Sequence, residues 1–214
     1  MQVFLKLCNI IWFRRYCFGK HESRDVDSIT DNELMGQVRN GQVEQLGLLF
    51  ERHHVRLFNF FLRLTDNREA SEDLTQDVFY RLLKYRQSFA PGNPFVPWMY
   101  QIARHVHYDA LRKKAKETPW KDEESETWVE TISPEPSPDR TAVTRQEIGL
   151  LKQALAGLPR EKREVLVLSR IQNLRCEEIA QIVGCGASTV RVRIHRALQD
   201  LKLALDRLLG EKAL

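Results

Sequence analysis

Four cysteines in 214 residues are too few to staple a disulfide scaffold. Eight positions separate Cys8 from Cys17, and again Cys176 from Cys185, which is not zinc-ligand spacing. Ten glycines and eight prolines exclude a collagen-like or low-complexity chain. No uninterrupted apolar run approaches the roughly 20 residues a bilayer-spanning helix needs, so no stable membrane span is expected. No phosphate-cradling glycine loop, nucleophile elbow or paired-acid motif occurs. His53-His54, and His105 with His107, lack a Cys or carboxylate framework. The chain is read as having no metal, no cofactor and no catalytic residues; it is not expected to be an enzyme.

What is present suits one or two compact domains: 43% of residues are hydrophobic and 29% charged. The net charge of +4 hides a strong segregation. Residues 117–141 hold eight acids and two bases, so this stretch carries −6 and the remainder +10. Two basic bodies flanking an acidic strap point to a polyanionic partner, and the cysteine usage fits a cytoplasmic location. The opening stretch MQVFLKLCNIIWFRRYCFGK is apolar, but Arg14 and Arg15 follow the apolar run and no small-residue cleavage site appears, contrary to a secretory signal. Membrane-surface association, packing on the next domain, disorder and an upstream start codon all stay open for it.

Where the sequence has a period it reads as helix, and no convincing strand alternation occurs. Thr30 and Glu33 form a capping-box pattern opening a first helix that stops at Asn40-Gly41. From Gln42 to Leu64, Val43, Leu46, Leu49, Phe50, Leu57, Phe60, Phe61 and Leu64 recur mostly at three- and four-residue steps, giving a one-sided stripe. A third helix spans Arg68 to Phe89, with Leu74, Val78, Phe79, Leu82, Leu83 and Tyr85 apolar. After a proline-rich segment, a fourth runs from about Pro97 to Lys116. The acidic stretch, with Pro119, Pro134, Pro136 and Pro138, has no period and reads as a linker. Helices are then expected over Ala142–Ala156, Arg160–Ile171, Cys176–Val183 and Ser188 to about Leu209. The fold class is all-α: two helical domains joined by a flexible acidic linker.

The segment EEIAQIVGCGASTVRVRIHRAL has the layout of a helix-turn-helix. Gly184 supplies the positive φ that ends its first helix, and Ser188 is placed to cap the second. On a helical wheel from Val190, the residues Ile194, Ala197, Leu198, Leu201, Leu205 and Leu208 form the buried arc. Ser188, Val192, His195, Arg196 and Gln199 lie opposite, flanked by Arg191 and Arg193, where a major groove would be met.

The stretch Leu155 to Leu205 closely resembles region 4 of sigma-70 family factors of the extracytoplasmic function (ECF) group. Its characteristic pieces stand as Leu158-Pro159, Arg163-Glu164-Val165, Glu178-Ile179-Ala180, Ser188-Thr189-Val190 and Arg193-Ile194-His195-Arg196-Ala197. The resemblance implies recognition of the minus-35 promoter element, with DNA contacts at Arg191, Val192, His195 and Arg196. REASEDLTQDVFYRLLKYRQSF resembles region 2.2, the family's grip on the β′ clamp helices of RNA polymerase, through Asp73, Gln76, Asp77 and Phe79. Spacing alone puts Asp73, Gln76 and Asp77 on one helical face, where they could meet an arginine-rich helix together. PWMYQIARHVHYDALRKKAK resembles regions 2.3 and 2.4, which melt the minus-10 element and hold its unpaired strand. Its wheel sets Met99, Ile102, Ala103, Val106 and Ala110 on an apolar side, and Trp98, Gln101, His105, Tyr108, Asp109 and Arg112 on the adjacent face. Rings interleaved with polar groups suit unpaired bases.

The expected layout is therefore an N-terminal extension at 1–28, region 2 at 29–116, the acidic linker at 117–141 and region 4 at 142–214. The resemblance implies as partners core RNA polymerase, through its β′ clamp helices and β subunit, promoter DNA and an anti-sigma factor able to hold the chain at a membrane. It also implies that the linker threads the polymerase's RNA path. Two other readings stand beside it: a free-standing helix-turn-helix regulator, and a membrane-surface adaptor using residues 1–18.

Overall fold

The computed structural model describes residues 29–117 and 149–211, and among these the regular elements are all helical. The N-terminal extension, nearly all of the acidic linker and the helix start expected at Ala142 lie outside the described residues. Helix α1 spans Asp31–Arg39, α2 Leu46–Thr65 after a 3₁₀ turn at Val43–Gln45, α3 Arg68–Lys84 and α4 Phe95–Glu117. A helical stretch at 149–156 leads to α5 (Arg160–Leu166), α6 (Cys176–Val183) and α7 (Ala187–Glu211).

The local signals act as their chemistry requires. Thr30 Oγ1 accepts from the Glu33 amide, and the Glu33 carboxylate accepts from the Thr30 amide at 2.7 Å, closing the capping box of α1. The Asn67 side chain caps α3 by accepting from Ala70 N at 2.9 Å. Gly184, at φ 76°, ends α6 in the left-handed conformation that a side chain would strain. Helix α7 begins one residue earlier than expected, at Ala187, so Ser188 sits in its first turn and not at the cap. Helix α4 likewise begins at Phe95, whose amide donates to Asn32 Oδ1 at 2.7 Å, so α1 holds the start of α4.

Leu34, Met35 and Val38 of α1, Leu49, Leu57, Phe60 and Phe61 of α2, Val78, Phe79 and Leu82 of α3, and Met99, Tyr100, Ala103 and Val106 of α4 form the core of the first unit. In the second unit Val165–Leu168, Ile179, Ile182, Val190, Ile194 and Ala197 are buried. Asp31 ties α1 to α2, accepting from Arg52 Nη1 at 2.8 Å and meeting buried His53 Nε2 at 2.7 Å. The His53 and Arg52 hydrogen bonds outweigh desolvation and lower the Asp31 pKa to about 2. A carboxyl depressed in the folded state contributes stability that is complete above its ordinary value of 3.8 and is lost as pH falls towards 2. Asp31→Asn is therefore expected to lower the melting temperature at neutral pH, with the gap from the parent narrowing across that acid window. A gap independent of pH would show that the carboxylate charge contributes nothing.

Candidate polymerase and nucleic-acid interfaces

Helix α3 presents Asp73 and Gln76 to solvent, with Asp77 half-exposed beside them. Asp77 is held by Arg81 Nη2 at 3.2 Å, and Arg81 Nη1 also reaches Asp109 Oδ2 on α4 at 2.7 Å. One guanidinium thus links the acidic face of α3 to α4. Phe79 is a correction: it is 1% exposed and meets Phe50 edge-on at a centroid distance of 4.8 Å, so it packs the core and cannot touch a partner.

Helix α4 divides its expected strand-facing residues. His105, Asp109 and Arg112 are exposed. Trp98 is half-buried against Phe89 and Phe95, with centroids at 5.0 and 6.4 Å, so its ring is engaged in the packing of the first unit and is not a free platform for bases. Gln101 and Tyr108 face the second helical unit. Gln101 Nε2 donates to the Gln181 carbonyl at 2.8 Å, and Tyr108 Oη donates to Glu164 Oε2 at 3.4 Å. Arg104, which the wheel left unassigned, donates through Nε to both Glu164 oxygens at 3.0 and 3.2 Å. Glu164 is 4% exposed; burial raises its pKa despite the neighbouring Arg104, and burial likewise raises that of Tyr108. His107 is buried and, through desolvation first and Arg160 and Arg163 second, falls to about 4, so it is neutral at pH 7.

The same junction is closed by Gln172. Its Oε1 accepts from the Tyr100 hydroxyl at 2.8 Å, its Nε2 donates to Arg56 O at 3.2 Å, and its carbonyl accepts from Arg56 Nη2 at 2.7 Å. A π turn at Val167–Ile171, followed by Asn173 at φ 55°, sets this side chain in place. Arg163 adds a bond from Nη1 to Leu64 O at 3.2 Å. Sequence reasoning missed Arg104, Glu164 and Gln172 because a polar residue on an amphipathic helix has the same periodicity whether it meets water or a partner.

The first turns of α7 match its wheel. Val190, Ile194 and Ala197 are buried and Leu198, Leu201, Leu205 and Leu208 of the same arc only half-buried, while Ser188, Arg191, Val192, His195 and Arg196 are all exposed. Arg191 Nη2 pairs with Glu177 Oε1 of α6 at 2.9 Å in an open position, 62% exposed on each side, where the pair adds little stability. The arrangement is a helix-turn-helix with a basic outward face and a single left-handed glycine at its turn. Among the described residues no group of His, Cys, Asp and Glu could hold a metal ion, and no helix is long and apolar enough to cross a membrane.

Comparison with known proteins accounts for both units. The sigma-70 region 2 family model matches residues 49–117, and the sigma-70 region 4 model matches residues 148–201. The chain belongs to the ECF group of sigma-70 family factors. It is 30% identical over 177 residues to the RNA polymerase sigma factor CarQ of Myxococcus xanthus, covering 83% of this chain and 96% of that protein. It is 30% identical over 154 residues to the RNA polymerase sigma factor YlaC of Bacillus subtilis, covering 72% and 88%. Among solved structures, CnrH in complex with the cytosolic domain of CnrY shares the fold with a TM-score of 0.63 at 24% identity, over 83% of this chain and 97% of that one. The sigma factor RpoE bound to the anti-sigma factor NepR, from Bartonella quintana, gives a TM-score of 0.59 at 24% identity, over 74% and 95%. As a sigma factor the chain is a transcription initiation factor with a DNA-binding region 4, not an enzyme.

Proposed function

We propose that this sigma factor binds core RNA polymerase through α3, reads a minus-35 element through α7, and opens the minus-10 element by capturing unpaired bases on α4. In this reading region 2 runs over 29–116 and region 4 over 142–214. The observation that carries the reading is the outward face of α7, where Arg191, Val192, His195 and Arg196 all stand free of the core on a closed helix-turn-helix. Asp73, Gln76 and Asp77 supply the acidic polymerase face, and His105 and Arg112 the open part of the strand face. A cytoplasmic site of action and an anti-sigma partner belong to the same reading, since CnrH and RpoE are seen bound to CnrY and to the anti-sigma factor NepR. Reconstitution with core polymerase, followed by transcript sequencing after overexpression, tests it. Operator binding without any association with core would favour a free-standing regulator instead.

Arg191 and Arg196 lie about 140° apart on α7 and cannot read one base pair through one face. Arg196, nearer the exposed centre, is assigned to base edges and Arg191, on the flank beside Glu177, to phosphate. Arg196→Ala should flatten preference at one or two upstream positions by roughly 1–3 kcal/mol. Arg191→Ala should weaken all sequences alike and reduce the salt slope by about one unit. Holoenzyme binding to a randomised upstream element at several salt concentrations separates the two. The reverse pattern would exchange their roles.

A further inference from the structure

We propose that Arg81 of α3 is a positioning residue for promoter opening: it draws the Asp109 carboxylate of α4 towards α3 and cancels its charge, so that a polyanionic strand meets no bare carboxylate on α4. The inference rests on the reading of α4 as the strand-facing helix. It goes beyond that reading because Arg81 lies on a different helix and acts on the strand only through Asp109.

Before its last residue, Glu117, α4 contains a single acid, Asp109. That acid lies four residues after His105 and three before Arg112, so the three share one helical face, and all three are exposed. An unneutralised carboxylate between these two residues would repel the phosphates of any strand laid along them. Arg81 meets it from the neighbouring helix. Its Nη1 donates to Asp109 Oδ2 at 2.7 Å, while its Nη2 lies 3.2 Å from Asp77 Oδ2. The planar guanidinium gives each carboxylate its own arm in a fixed direction, which a lysine ammonium cannot do. The Arg81 side chain is 24% exposed and that of Asp109 50%, so the cation is the anchored partner and the carboxylate is the one that turns to it. Partial burial works against the guanidinium charge, but Asp109 and Asp77 outweigh it and raise the Arg81 pKa, so the cation persists at neutral pH. Pairs this open add little to stability. The consequence of the bridge is therefore electrostatic: it keeps the acidic character of α3 on α3 and leaves the open face of α4 with His105 and Arg112.

Holoenzyme reconstituted with each variant tests the proposal on a promoter taken from transcripts that rise on overexpression. Core affinity is measured by titration and opening by permanganate reactivity of unpaired thymines. Arg81→Gln should keep the parental core affinity or exceed it, since Asp77 is released to a basic partner, while opening falls about fivefold at low salt and less as salt is raised. Asp109→Asn placed in the Arg81→Gln chain should return opening to near the parental level. A merely structural role for Arg81 would move core affinity and opening together and would not be rescued by removing a second partner's charge. Parental opening by Arg81→Gln would overturn the proposal, as would a loss that Asp109→Asn fails to recover. Should Arg81→Gln not assemble with core, Arg81→Lys, which keeps the charge without the fork, supplies the same comparison: a smaller loss, recovered by Asp109→Asn, is expected, and its absence is equally decisive. If the parent holoenzyme assembles but does not open the promoter, the proposed function falls and this inference with it; if the parent opens it and Arg81→Gln does so equally, only the role of Arg81 falls.

Discussion

Reversing Asp73 and Asp77 together to arginine is expected to abolish assembly with core RNA polymerase, weakening it by more than about a hundredfold. Both carboxylates stand on one face of α3 with Gln76, and a basic partner helix would meet two repulsive charges in place of two attractive ones. The fold should persist. Asp73 is exposed and Asp77 half-exposed, and neither is part of the buried core. Its ion pair with Arg81 is a partly exposed i,i+4 contact worth under about 1 kcal/mol, and Arg81 retains Asp109 when Asp77 is lost. Co-elution of the double variant with core polymerase is the measurement. Wild-type affinity would remove α3 from the interface.

Phe79→Ala, by contrast, should leave the residues of the acidic face in place and strongly destabilise the protein that carries them. Phe79 is 1% exposed within a cluster that includes Phe50, and truncating a buried phenylalanine costs about 3–5 kcal/mol through lost transfer energy and the cavity left behind. For a unit of this size, that amounts to a fall in melting temperature on the order of 15 °C or more. A residue that touched the polymerase would behave oppositely: binding would fall while the melting temperature held. Thermal melting beside core binding therefore distinguishes the two positions that one motif groups together.

That contrast shows where sequence reasoning works. Leu74, Val78, Phe79 and Leu82 repeat with helical spacing, and spacing alone puts Phe79 in the core; the family motif drew it to the surface because motifs conflate packing with contact. The capping box at Thr30 and the turn at Gly184 were legible because a hydroxyl or a missing Cβ acts on its own neighbourhood, whereas the cap at Asn67 went unread and Ser188 falls inside the first turn of α7. The outward face of α7 was legible for the same reason, being fixed by the buried residues of its own helix. The junction between the units was not. Glu164 lies 60 positions from Arg104, and Gln172 lies 72 from Tyr100, distances over which no periodicity operates. A buried glutamate on an amphipathic helix reads as a solvated one until its partner is in place.

The π turn at Val167–Ile171 sets the phase of everything after it. Gln172 N bonds back five residues to Val167 O at 3.0 Å, so this turn of backbone contains one residue more than an α-helical turn spans. Each helical residue advances the azimuth by about 100°, so a continuous α-helix would carry the Gln172 amide well around the axis from Tyr100 and the Arg56 carbonyl. The extra residue works like an inserted tooth in a gear. Shortening Val167–Ile171 by one position would keep every hydrophobic residue of α5 and α6 in the chain and still mis-time region 4 against region 2, since composition survives such an edit and angular register does not.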